Sequence, residues 1–217
     1  AFVFILVSFS KYRTPEFCKN TTSEKAALYE KSSIRPSVVI FFVCATYGAL
    51  VSFLSLYALE KGIENIGIFF TVYAVFLLLS RPIFGRIHDH FGPNYAVMPG
   101  LAMLFVALLL LSQAATLPSF LLVGAIYGIG FGAVQATIQT MAVAHVPPQR
   151  RGAANATFFT GFDSGIGIGS IIFGAIASAL GYGNMYIFAA VSIIIAFLLY
   201  IFLAQKPQMA SPNFPQL

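Results

Sequence analysis

The chain has 217 residues, of which 59% are hydrophobic and 9% charged, with a net charge of +5. Soluble domains carry roughly 25% charged residues, so this composition excludes an ordinary water-soluble enzyme or binding module and points to a membrane protein. The positive balance does not indicate nucleic-acid binding, because no polar segment combines a basic stripe with interleaved aromatics.

In chain order, residues 1–10 are apolar but too few to cross a bilayer, and they lack the basic start and small-residue cleavage site of a secretory signal. They read as the end of a preceding transmembrane helix, so the chain is expected to be a fragment without its N-terminal part. Residues 11–36 form a polar segment carrying Lys11, Arg13, Lys19, Lys25, Lys31 and Arg35. Six apolar segments follow, at 37–59, 66–84, 95–115, 120–143, 152–179 and 185–204, divided by charges and turn residues. At about 1.5 Å per residue, each matches a hydrocarbon core of about 30 Å. A short tail, 207–217, closes the chain. The expected fold is all-α and integral to the membrane: a bundle of six transmembrane helices over residues 37–206.

Charge sets the orientation. If the spans alternate in direction, every Lys and Arg except Lys61 falls on the side that carries residues 11–36. The positive-inside rule makes that side the cytoplasm and places both the linker and the C-terminus there, in a multi-pass protein of the cell membrane. Cys18 and Cys44 are too few and too separated for a disulfide framework. The sequon Asn20-Thr21-Thr22 lies on the cytoplasmic side and is discounted.

The spans differ in character. Segments 95–115 and 185–204 are rich in Leu, Ile, Val and Phe without internal charge, as suits helices facing lipid. Segment 37–59 has a weak polar stripe of Gly48, Ser52 and Ser55 with Tyr47 beside it, and serines in such helices commonly bond their own backbone. In 120–143, Gly124, Gly128, Gly132, Ala136 and Thr140 recur every fourth residue, a ridge that admits a second helix closely. Tyr127, Phe131, Gln135 and Gln139 form a parallel ridge about 100° away. The two amides need partners from protein, water or substrate, so they serve either as interhelical glue or as a cavity wall. Gly161, Gly165 and Gly169 repeat the small-residue spacing in 152–179, where Asp163 stands about 16 Å from Gly152. A carboxylate at that depth costs about 2.5–3.5 kcal/mol on lenient scales, so it serves either a structural contact or a protonation site. The run Gly165-Ile166-Gly167-Ile168-Gly169 is not a nucleotide loop, since no strand precedes it and it lies at membrane depth.

Between the second and third spans, Gly85-Arg86-Ile87-His88-Asp89-His90-Phe91-Gly92-Pro93-Asn94 reads as a tight polar turn. Its two His and one Asp are too sparse to indicate a metal site. The segment resembles the signature loop of the major facilitator superfamily, G-x-x-x-D-x-x-G-[RK]-[RK]. Gly85, Asp89 and Gly92 match, while Pro93 and Asn94 replace the basic pair, as in the degenerate copy in the family's second half. Val146–Ala153 similarly resembles the loop entering helix eleven, and residues 11–36 resemble the linker between the family's two six-helix halves. The resemblance implies helices seven to twelve of a twelve-helix fold. It also implies that seven and ten line a central cavity, eight and eleven border it, and nine and twelve face lipid. Within the motif (Gly85, Arg86, Asp89 and Gly92), Asp89 would engage the first half and stabilise one gated state.

The function expected is therefore secondary transport by alternating access, moving a small organic molecule and driven by protons in the direction of efflux. Asp163 is the expected proton-coupling residue, and Tyr47, Ser52, Tyr127, Gln135 and Gln139 are the expected cavity residues. The implied partners are the N-terminal six-helix half, the bilayer, a small-molecule substrate and protons. No nucleic acid, cofactor or metal is expected. Two alternatives are a half-size transporter or structural subunit that works as a homodimer, and an intramembrane enzyme. The latter needs a nucleophile, base or metal set at depth, whereas Asp163 is the only acid well inside a span and no His accompanies it.

Overall fold

A computed structural model describes residues 29–204, except residue 145, with side chains as far as Phe202. The expectations for residues 1–28 and 205–217 lie outside the described residues. Six long helices account for nearly everything else: α1 (Lys31–Glu60), α2 (Gly67–Phe91), α3 (Asn94–Ser112), α4 (Leu117–Ala144), α5 (Arg151–Leu180) and α6 (Tyr182–Ala204). A single 3₁₀ turn, Pro148–Arg150, precedes α5. All six helices are long and apolar enough to cross a membrane.

Two boundaries differ from the sequence expectation. α1 begins at Lys31, before Pro36, and not at residue 37. Tertiary contacts hold that extra turn: the Glu30 N–H donates to Thr157 Oγ1 at 2.9 Å, and Ser33 Oγ donates to the Ala142 carbonyl at 2.7 Å. α2 runs to Phe91, past Pro82 and through most of the expected polar turn. Polar residues do not break a helix where its end reaches water. The break comes at Gly92, whose φ of 92° is open to glycine and costly for other residues. Its N–H caps the His88 carbonyl at 2.9 Å.

Helix packing follows a twofold pattern. α1 packs most extensively on α5, and α4 on α2; α1 also packs on α6, and α4 on α3. Exchanging α1–α3 with α4–α6 maps this pattern onto itself. Because each triplet has an odd number of spans, the second enters the membrane from the opposite side, which makes an inverted repeat. Helices α1 and α4 are central, with 61% and 56% of their apolar stretches buried, against 17% and 22% for α2 and α5. The exposed large side chains of α6, among them Ile187, Val191, Ile194, Leu198 and Phe202, are apolar throughout, as suits a lipid face.

Both major seams are made by the glycine ridges. On α5, Gly161 lies against the Ser37 backbone, Gly165 against Phe41 and Gly169 against Ala45. On α4, Gly124 meets Phe69, Gly128 meets Tyr73 and Gly132 meets Ser80 and Leu77. The numbering rises together along both seams, so α1 runs parallel to α5, and α2 to α4. Without Cβ atoms the backbones approach closely, and van der Waals packing replaces the hydrophobic drive that lipid surroundings remove.

Gly128→Val should therefore destabilise the bundle, since even its Cβ would stand 2.5 Å from the Tyr73 carbonyl oxygen, with backbone on both sides of the clash. Overpacking of this kind costs about 1–3 kcal/mol. Gly167→Ala, with nothing within 4 Å of the new Cβ, should melt within a degree or two of the parent. Thermal denaturation in detergent separates the two, and equal melting temperatures would contradict the seam.

Candidate functional site

The site grows from the four helices α5, α1, α4 and α2, which pack side by side in that order. Aromatic side chains from all four meet across the seams. The ring of Tyr47 on α1 stacks on Phe131 of α4 at 4.8 Å between centroids and on Tyr73 of α2 at 6.0 Å. Phe131 also meets Phe162 of α5 at 6.4 Å, and Phe162 touches Phe158 and Phe159. Phe131 and Tyr73 are buried, whereas Tyr47 and Phe162 are partly open and Phe159 is exposed. The cluster thus has a closed floor and an open upper surface.

The expected cavity residues separate into two groups. Tyr127 is fully buried. The single proton of Thr46 goes to the Val43 carbonyl at 2.8 Å, so the Tyr127 hydroxyl is the donor in its 2.9 Å bond to Thr46 Oγ1. It ties α4 to α1 beneath the aromatic floor. Tyr47, Gln135 and Gln139 are partly exposed, and Ser52 is exposed. The Ser52 hydroxyl pairs with Ser170 of α5 at 3.1 Å, not with its own helix as the sequence suggested. Ser170 is the one that bonds back to its own turn, at Ile166 O.

The helix that carries Arg81 is longer than its apolar segment. With α2 extending to Phe91, Arg81 lies about 15 Å from the helix end at 1.5 Å per residue, one turn before the polar last two turns. It is exposed, and its Nη2 donates to Gln135 Oε1 at 3.1 Å. Sequence reasoning missed this group because the span was ended at residue 84, where hydrophobicity falls. The pairing itself depends on the α2–α4 seam, which sets Ser80 against Gly132. Across the aromatic surface, on α5, Asp163 is exposed and directly follows Phe162. Among the described residues the only ion pair joins Arg150 Nε to Glu30 Oε2 at 3.1 Å, so neither Arg81 nor Asp163 has an ionic partner there.

The signature residues occupy the last two turns of α2. Arg86 and Asp89 are exposed, Gly85 has open space around its Cα, and Gly92 makes the cap described above. The Arg150–Glu30 pair stands at the same basic end of the bundle, tying the turn before α5 to the start of α1.

The arrangement offers an aromatic surface flanked by a cation on one side and a carboxylate on the other, at similar distances from the basic ends of their helices. Isolated charges at such positions are costly on a lipid face and are found where water, substrate or protein reaches them.

Comparison with known proteins places this geometry in context. The family model of the Major Facilitator Superfamily matches residues 36–216. An uncharacterized MFS-type transporter of Methanocaldococcus jannaschii is 26% identical over 189 residues, covering 86% of this chain and 46% of the relative. Uncharacterized MFS-type transporters of Burkholderia mallei and Burkholderia pseudomallei are 31% identical over 156 residues, covering 68% of this chain and 36% of each relative. The chain thus spans less than half the length of the curated relatives it matches.

Tyr127→Phe should lower stability by about 0.6–1 kcal/mol, the range of one interhelical hydrogen bond in a membrane protein. A small drop in detergent melting temperature is the expected result. An unchanged melting temperature would show that the Thr46 contact contributes nothing.

Proposed function

The chain belongs to the major facilitator superfamily, a family of membrane transporters, and from that premise we propose that it forms the C-terminal six-helix half of a secondary transporter. In this reading the half carries one wall of a central cavity and works with an N-terminal six-helix half by alternating access. The observation that carries it is the uneven burial of the bundle. The flanking helices α2 and α5 are largely unburied, yet they bear Arg81 and Asp163, residues too polar for a lipid face. A second bundle covering that side would enclose the aromatic surface and both charges.

The transported species is a small organic molecule, moved outward against inward proton flow, with the basic side of the bundle in the cytoplasm of a cell-membrane protein. Asp163 supplies the proton site. Among the described residues its carboxylate has no cation at ion-pair distance, and proton uptake is then the way to tolerate the state in which the cavity is closed to water. Gaining a proton in one access state and losing it in the other couples the gradient to transport. Asp89, exposed at the end of α2, contacts the partner half and biases the equilibrium between access states.

Two substitutions in the full-length protein, reconstituted in liposomes, test these roles separately. Asp163→Asn mimics the permanently protonated form and should abolish gradient-driven accumulation while leaving substrate binding and exchange measurable. Retention of full accumulation with an unaltered pH profile would assign Asp163 a structural role. Asp89→Asn should slow turnover tenfold or more with little change in substrate affinity. A normal transport rate in that variant would remove the motif from the mechanism.

A further inference from the structure

We propose that Arg81 and Gln135 form an anion subsite, and that the molecule it accepts is a small carboxylate with an aromatic or otherwise apolar body. The inference rests on the transporter reading above and names the substrate class of the same cavity.

The argument begins with donors and acceptors. A guanidinium carries only N–H donors. Because Arg81 donates to Gln135, the amide must present its oxygen to the arginine, and its NH₂ group is left pointing elsewhere. The pair therefore offers the remaining guanidinium N–H groups and both amide protons, against the single lone pair left on Gln135 Oε1. A cluster dominated by donors is complemented by a group that only accepts, and a planar carboxylate fits the guanidinium fork in two parallel hydrogen bonds. A neutral hydroxyl or amide ligand would leave part of that donor set unmatched.

Position supports the same conclusion. Arg81 lies one turn before the polar stretch Gly85–Phe91 that ends α2, at the boundary between its apolar and polar parts. Its side chain turns to α4, where the carbonyl of Gln135 accepts from the guanidinium. No acid of the described residues lies at ion-pair distance to neutralise it. The fixed cation is thus held open on the side of α2 next to α4.

The apolar half of the ligand follows from the neighbours of Gln135. Phe131 lies one turn earlier on α4 and is stacked on Tyr47, with Phe162 edge-on to it. Tyr47 and Phe162 keep part of their surface open. A carboxylate on Arg81 would leave its apolar body over these rings, one helical turn away, and Asp163 beyond them would repel a second negative charge. The pattern therefore favours monoanions over dianions.

Benzoate, with benzamide as its uncharged counterpart and phthalate as the dianion, provides the probe set. The full-length protein is purified in detergent, and binding is read by thermal stabilisation and by equilibrium titration with labelled benzoate. Benzoate should bind and stabilise the parent protein, and benzamide and phthalate should bind at least tenfold more weakly. Arg81→Gln should weaken benzoate at least tenfold, and Arg81→Lys, which keeps the charge but loses the fork, should give an intermediate loss. Gln135→Leu, a substitution away from the charge itself, should weaken benzoate severalfold and keeps the test decisive if an Arg81 variant does not fold. Benzoate binding that is absent, or indifferent to Arg81 and Gln135, overturns the proposal, as it would if a carboxylate elsewhere in the protein already neutralises Arg81. Transport assays on the same preparations judge the transporter reading independently. Gradient-driven movement of benzamide without benzoate binding leaves that reading standing and removes the anion subsite. Benzoate binding without movement of any probe keeps the subsite and removes the transport role.

Discussion

The close approach of helix backbones along two glycine seams is the constraint on which the rest of this structure depends. In lipid, apolar side chains gain nothing by leaving one apolar surroundings for another, so association must come from packing and hydrogen bonds. Gly161, Gly165 and Gly169 provide that packing between α5 and α1, and Gly124, Gly128 and Gly132 provide it between α4 and α2. The two seams occupy equivalent places in the inverted repeat: the α4–α2 seam takes its glycines from the central helix, and the α5–α1 seam takes three from the flanking helix and Gly48 from the central one.

Once the seams are closed, hydrogen bonding fixes the register. Backbone and hydroxyl groups within a bilayer have no water to turn to, so each needs a partner inside the protein. Ser33 reaches the Ala142 carbonyl, Ser192 the Phe42 carbonyl at 3.0 Å, and Tyr57 the carbonyls of Ser112 and Ala114. These bonds join helices at both ends of the bundle and along its middle. Against that background Arg81 and Asp163 stand out: both are charged and exposed, and neither belongs to an ion pair of the described residues. Both stand on the flanking helices, where something outside the bundle can meet them.

The division of labour among helices follows from burial. α1 and α4 hold the centre and supply the stacked pair Tyr47 and Phe131, while α2 and α5 carry the charges at the edges. An open aromatic surface between opposite charges suits a molecule with an apolar body and one polar end. It also places the proposed proton site and the proposed anion subsite on different helices of the same bundle.

The sequence by itself determined the number of spans, their order, the helix faces that pack and the family resemblance. Those properties depend on composition and on spacing along one helix, where hydrophobicity and four-residue glycine repeats can be counted directly. It also singled out Asp163, because a carboxylate inside an apolar run is visible without knowing its neighbours. Only the tertiary structure decided what the ridge Tyr127, Phe131, Gln135 and Gln139 does. Its members lie at successive turns of one helix, but Tyr127 is sealed by Thr46, Phe131 is covered by Tyr47, and Gln135 is turned to Arg81. The helix of Arg81 outruns its apolar segment, because hydropathy marks where a segment stops being apolar and not where its helix ends. The helix continues until Gly92 breaks it, and that continuation, with the seam that brings α2 onto α4, turns a residue at the apparent edge of a span into one facing a glutamine of another. Partners of this kind lie far apart in the chain, and no periodicity within a single segment records them.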